Sequence, residues 1–283
     1  MGMINFSGLS SGLDTKSIVE ALSKAEQAPI RALQRKKAVN TSHKTTYGHI
    51  ETMIKKIKSE AESYKKVEDF YSYSASATNS DSVLTATATG KSITGNYDIT
   101  VNSLATAQRD YSKSFSAQTD SLSLSGTLTI QVGSDSDDAV DVTLDSDTTL
   151  ASLASTINSA NAGVTAGVMY DGSNYYLQVG GNTLGATNGA ITYSYSNGLS
   201  SSAFDLTTKK TAADASLTID TYSITSSSNT ITDVLPGTTL DLVGTGTSAV
   251  TVSADYEKIQ ANTQKLVDYY NAAVNRINSE LAF

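Results

Sequence analysis

Two stripes of apolar side chains, one near each end of the chain, set the strongest limit on its fold. In the first, Tyr47, Ile50, Ile54, Ile57, Ala61 and Tyr64 are separated by 3, 4, 3, 4 and 3 residues. In the second, Thr263, Val267, Tyr270, Val274, Ile277 and Leu281 are separated by 4, 3, 4, 3 and 4. Both are heptad seams, which place apolar side chains along one helix face. Burying each Ile would contribute roughly 1.5–3 kcal/mol, and a lone helix has nowhere to bury it. The first helix leads into a long β-patterned region and the second leaves it. This predicts two antiparallel legs that pair as a stem under a head. Packing of each leg on its own β domain is the alternative.

Ahead of the first seam, the stretch FSGLSSGLDTKSIVEAL mixes small, flexible and apolar residues up to Leu13. Such a mixture favours neither helix nor strand. Asp14 or Thr15 then offers an N-cap, and Ile18, Ala21, Leu22 and Ala25 follow at helical spacing. Pro29 is expected to end this helix or to open the next one. From Pro29 to about Val67 the pattern is helical again.

Residues 72 to 254 alternate as strands do. Tyr97, Ile99 and Val101 form one such set, Leu128, Ile130 and Val132 another, and Val140, Val142 and Leu144 a third. Val164, Ala166, Val168 and Tyr170 run into Asp171-Gly172, and Tyr175, Leu177 and Val179 return as a hairpin. One helix interrupts the strands: Asp147 or Thr148 caps TLASLASTINSA, with Leu150, Leu153 and Ile157 on one face. Glycine and polar clusters at 180 to 202 read as a linker to a second β portion, in which Leu235-Pro236-Gly237 turns the chain. The fold class is therefore α+β. It combines a coiled-coil-like stem from the N- and C-terminal helices (41–71 and 255–283) with a β-rich head. The head has an outer β domain (72–115 and 206–254) and an inserted β domain with one helix (116–205).

Little in the chain suggests catalysis. Both histidines, His43 and His49, lie on the first leg six residues apart, so they face different sides of a helix. With no cysteine anywhere and no histidine in the head, a nucleophile there lacks a local base. Asp135, Asp137, Asp138, Asp141, Asp145 and Asp147 crowd one stretch, but Ala139 and Val140 stand where a calcium loop needs a ligand and a glycine. A solvated acidic edge that resists strand-to-strand aggregation is the simpler reading. No enzyme activity, cofactor or metal is expected.

More than a quarter of the residues are Ser or Thr, and Trp is absent, which suits thin β domains better than a dense enzyme core. Residues 1 to 70 hold 12 Lys and Arg against 8 Asp and Glu, whereas the remainder holds 8 against 20. The acidic body argues against nucleic-acid binding. No run of 18 apolar residues occurs, so no membrane insertion is expected.

Four stretches occur together in order: FSGLSSGLDTKSIVEAL, GNYDITVNSLATAQ, GTLTIQV with TTLASLASTINSANAGVTAGV, and SSNTITDVLPGTTLDL with LVDYYNAAVNRI. Their combination resembles the flagellar filament cap family, also called hook-associated protein type 2. The resemblance implies secretion through the flagellar type III export apparatus, with an export chaperone, and a place at the distal end of the filament. It further implies a ring-like homo-oligomer on the filament tip that helps flagellin fold and insert. Residues 1 to 40 would then be an export and filament-contact segment, disordered in the free protein, with Phe6, Leu9 and Leu13 as contact residues. The competing reading is a secreted adhesin or module for carbohydrate such as host mucus glycans, using Tyr170, Tyr175 or Tyr176. Family members continue beyond the last helix, so the chain is expected to be a fragment or shortened product. It departs from the family at Leu266, where an aromatic is usual, and at Asp220-Thr221-Tyr222, where a glycine turn is expected.

Overall fold

A computed structural model describes residues 15–135 and 138–281. The chain divides into two compact units, one of Met1–Phe70 with Glu257–Phe283 and the other of Tyr71–Tyr256.

The first unit is helical. Helix α1 spans Thr15–Glu62, a short α2 spans Val67–Phe70, and the chain returns to this unit in the helix Tyr256–Leu281, numbered α4 below. The break expected at Pro29 is absent, and α1 runs through it. Proline removes one backbone donor and crowds the preceding turn, which loosens carbonyls there. In the turn before the proline, the Arg31 guanidinium donates to the Lys24 carbonyl at 3.1 Å. Residues 15–40, expected to be disordered in the free protein, are helical. Every side chain from Lys16 to Thr45 is exposed, so this stretch has no core of its own.

The second unit begins with β1 (Tyr73–Ala77), β2 (Leu84–Ala88) and β3 (Gly95–Ser103). Next come β4 (Arg109–Tyr111), β5 (Gly126–Val132), β6 (Val140–Leu144), helix α3 (Leu150–Ala160), β7 (Val164–Tyr170) and β8 (Tyr175–Gly181). They are followed by β9 (Ile191–Ser196) and β10 (Thr207–Lys210). The unit closes with β11 (Ala215–Ile219), β12 (Tyr222–Ser226), β13 (Thr230–Leu235), β14 (Thr238–Leu242) and β15 (Gly246–Ala254), which leads into α4 (Tyr256–Leu281).

These strands build two cores. The outer one lies between a five-stranded sheet, β1-β15-β3-β11-β12, and a three-stranded sheet, β13-β14-β2. Its centre holds Leu84, Ile99, Val101, Leu217, Leu240 and Val250. The inner one lies among the sheets β10-β4-β8-β7 and β6-β5-β9 and helix α3. Leu128, Ile130, Leu153, Ile157, Leu177 and Phe204 fill it, each 0% exposed. The alternating in–out pattern read from the sequence thus becomes two facing layers in each domain.

Four details differ from the sequence reading. The segment 180–202 is not merely a linker, because Ile191–Ser196 forms β9 and pairs with β5. Glycine-rich flanks hide that strand, although Ile191, Tyr193 and Tyr195 alternate as β residues do. The cap of α3 is Thr149, whose hydroxyl accepts from the Ser152 N–H at 3.1 Å while Ser152 Oγ accepts from the Thr149 N–H at 2.9 Å. Thr148 instead donates to Asp145 at 2.9 Å in the preceding turn. The strands β4 and β10, assigned by sequence to the outer domain, pair with each other, and β4 pairs with β8 of the inserted domain. The chain therefore crosses between the domains near the Thr106–Ala213 bridge, not at 115 and 206. Finally, Asp220 replaces the expected turn glycine. It takes φ 54°, and its carboxylate accepts from the Asp98 N–H at 3.1 Å. A short polar side chain tolerates the left-handed region for this reason.

Candidate assembly surfaces

The helical unit has one clear joint. Lys265 on α4 meets Glu60 on α1 at 2.9 Å, and the Tyr64 hydroxyl donates to the same carboxylate at 2.6 Å. The Glu60 side chain is only 13% exposed. Tyr64 and then Lys265 hold its carboxyl below the ordinary glutamate range, and Glu60 in turn raises Lys265. Lys265 also lies 5.8 Å from the centre of the Tyr269 ring on its own helix.

Around this joint the covered faces differ from the predicted seams. On α1 the covered or half-covered positions are Thr46, Ile50, Met53, Ile57, Glu60 and Tyr64. Ile50, Ile57 and Tyr64 were predicted, whereas Tyr47 (69%), Ile54 (53%) and Ala61 are exposed. On α4 the covered set runs through Ile259, Asn262, Leu266, Tyr269, Ala273 and Arg276. Val274 and Ile277 are half-buried beside it, while Thr263, Val267 and Tyr270 are exposed. Leu281 lies where no side chain is described. On α4 the seam is therefore turned by about one residue, roughly 100° on a helix of 3.6 residues per turn, whereas α1 keeps Ile50, Ile57 and Tyr64 and shifts only at the alternate positions. The Glu60–Lys265 pair bridges the two helices beside these faces. Much of the most apolar stripe on each leg then remains exposed.

Further apolar side chains stand open along α1: Ile18, Val19, Leu22, Ile30, Leu33 and Val39 are each more than half exposed. Arg31, Arg35, Lys36 and Lys37 alternate with them. A surface of this mixed kind suits protein association. Phe6, Leu9 and Leu13 lie outside the described residues.

In the head, sequence reasoning missed a polar network that ties the inserted domain together. Asp110 on β4 is 1% exposed and accepts from the Tyr193 hydroxyl of β9 at 2.7 Å and from Gln108 Nε2 at 2.8 Å. Burial first, and then Asp110, pushes the Tyr193 phenol far up, so it stays a donor. The Gln108 amide also exchanges two hydrogen bonds, each 3.1 Å, with the Ile191 backbone. Two more carboxamides repeat that device: Asn158 clasps Ala166 at 2.7 and 2.8 Å, and Asn229 clasps Ala105 at 2.7 and 3.0 Å. Each mimics a strand neighbour and satisfies a backbone pair that a ladder leaves open. Gln108 closes the stretch GNYDITVNSLATAQ, the sole sequence signal for this role. At the tip of the β7–β8 hairpin, Tyr170 and Tyr175 stack at 4.7 Å, and the hydroxyls of Tyr170 and Tyr176 bond to Gly172 and Asp171 of the same turn.

Residues 11–108 match the N-terminus of flagellar hook-associated protein 2, and residues 212–283 match its C-terminus. The chain belongs to the flagellar hook-associated protein 2 family. The two matches stop and resume beside the Thr106–Ala213 bridge, where the chain passes between the domains. Residues 127–179, which run from β5 to β8, match the flagellin hook IN motif. Among hook-associated proteins 2, that of Escherichia coli O157:H7 is 31% identical over 252 residues, covering 82% of this chain and 52% of the relative. The A-type protein of Pseudomonas aeruginosa is 30% identical over 305 residues, covering 97% of this chain and 62% of the relative. The chain thus spans about half to three-fifths of these curated relatives. The crystal structure of the flagellar cap protein FliD D1-D2-D3 domains from Escherichia coli superimposes with a TM-score of 0.72 at 28% identity. It covers 83% of this chain and 70% of that one.

Proposed function

We propose that the chain is part of a structural cap at the distal end of a bacterial flagellar filament, where it promotes folding and insertion of exported flagellin and prevents its loss. The likeness to the Escherichia coli flagellar cap protein across stem and head carries this reading. In it, the protein leaves the cell through the flagellar type III export apparatus, with an export chaperone, and forms a ring-like homo-oligomer. Residues 1–40 reach the filament, with contacts at Phe6, Leu9 and Leu13. Residues 41–71 and 255–283 make the stem; 72–115 and 206–254 make the outer head domain; and 116–205 make the inserted one, subject to the boundary shift described above. The work is mechanical: firmly packed heads form a plate, while weakly covered legs rearrange at each subunit addition. The likeness at both ends of the chain favours a structural cap over a catalyst or a secreted adhesive module.

The test supplies this chain, and a version extended to the length of its relatives, to motile cells lacking their own filament cap. The extended form is expected to restore filament length and to reduce flagellin shed into the medium. Continued loss of flagellin monomer from cells making their matched flagellin and secreting the extended form would overturn the reading.

A further inference from the structure

The inserted domain carries opposite charges on opposite margins. Strand β10 is an edge strand, paired only with β4, and all four of its residues are exposed. It bears Lys209 and Lys210, and the exposed Arg109 lies beside Lys210 on β4. Among the described residues none of these three cations has a carboxylate within 4.0 Å. Strand β6 is also an edge strand, paired only with β5. Asp141 faces outward from it, accepting from Thr129 at 2.5 Å, and Asp138 and Asp145 are exposed just before and after it.

The packing sets these two edges apart. Gln108, next to β4, bonds to Ile191 of β9, so the β10–β4 margin lies beside β9. Helix α3 packs on β7 and β6, so the acidic strand lies at the far margin of both sheets.

We propose that β10 of one copy docks along β6 of a second copy. This deepens the homo-oligomer reading above and rests on it. An open edge strand offers unpaired backbone donors and acceptors, and charge on it decides what approaches. Two β10 edges repel through their lysines, and two β6 edges repel through their aspartates, so both two-fold pairings are disfavoured. The unlike pair attracts, and cross-strand pairs of opposite charge stabilise a sheet. A contact between two different surfaces of the same chain repeats head to tail, and it closes into a ring when the rotation permits. The charge arrangement thereby selects directional assembly of the heads over dimers.

The test uses the full chain and two charge-reversed variants, Lys209→Glu/Lys210→Glu and Asp141→Lys/Asp145→Lys, followed by sedimentation velocity. All four positions are exposed, and unchanged melting curves check the folding of each variant. Each variant alone is expected to associate roughly tenfold or more weakly than the original chain, because like charges then face each other across the contact. Mixed in equal amounts, the two variants regain association, since each acidic edge again meets a basic one. Wild-type association should weaken as salt rises from about 50 to 500 mM, as expected for exposed charges. Undiminished association of either variant, an equimolar mixture that stays apart, or a wild-type chain that remains monomeric would overturn the edge pairing. The filament assay judges the cap reading separately, because a cap assembled through other faces still restores filaments.

Discussion

Ile157 on α3 and Ile54 on α1 are isoleucines at regular helical spacing, yet one is 0% exposed and the other 53%. The difference lies in what stands opposite. Helix α3 is folded over two sheets, and a capping box and the Asn158 clasp fix its position. Helix α1 has α4 along only part of its length, joined through Glu60 and Lys265, and among the described residues every side chain from Lys16 to Thr45 is exposed. Helical periodicity reports that a side chain needs cover; it does not report which molecule provides it. The head cores are complete in themselves, whereas the legs are only partly covered.

The largest way to break this contrast is to open a head core. Leu153→Ala is expected to cost about 2–5 kcal/mol in urea unfolding, since Leu153 is fully buried and the sheets cannot collapse into the gap. Removal of the Asn158 clasp by Asn158→Ala should cost about 1–3 kcal/mol by leaving the Ala166 backbone pair unsatisfied. Thr149→Ala should cost about 1 kcal/mol through loss of the helix cap, read from the same unfolding curve. At the small end, Tyr270→Ala on the leg should stay within about 0.5 kcal/mol for the free chain, because its ring is 60% exposed. A leg substitution as costly as Leu153→Ala would erase the distinction.

The joint between the legs adds a pH dependence. Because Tyr64 and Lys265 lower the Glu60 pKa, this contribution to stability is fully present above about pH 4.5, the ordinary glutamate value, and is lost as pH falls through the lower folded-state value. Helical circular dichroism should show that acid loss in the original chain and not in Glu60→Gln. Equal acid sensitivity in both would place the titrating group elsewhere.

Much of the head was legible in the sequence because each strand carries its own record. Val101, Leu128, Val142 and Leu177 point inward as their alternation implies, and Leu150, Leu153 and Ile157 line the inner face of α3. What escaped was either masked locally or set by distant partners. Strand β9 was hidden by flanking glycines, and three adjacent residues, Asp147, Thr148 and Thr149, were each chemically able to cap α3. Gln108 and Asp110 depend on Ile191 and Tyr193, some eighty residues away, so no local pattern marks them. The leg seams lie on the right helices, but that of α4 is turned by about one residue and α1 covers only every other predicted position. The sequence pattern follows the most apolar stripe, whereas the covered faces include the polar residues Thr46, Glu60 and Asn262. That mismatch leaves Tyr47, Ile54, Val267 and Tyr270 open to whatever covers the legs in an assembly.

Hydrogen exchange on the full chain, free and assembled, tests most directly whether the head is self-sufficient while the legs await partners. In the free chain, amides of Leu128, Leu177, Leu217 and Val250 should exchange only through global unfolding, and those of residues 16 to 45 should exchange with little protection. On assembly, protection should rise along the legs and change little in the head cores. Legs already as protected as the head cores in the free chain, or legs that gain nothing on assembly, would contradict it.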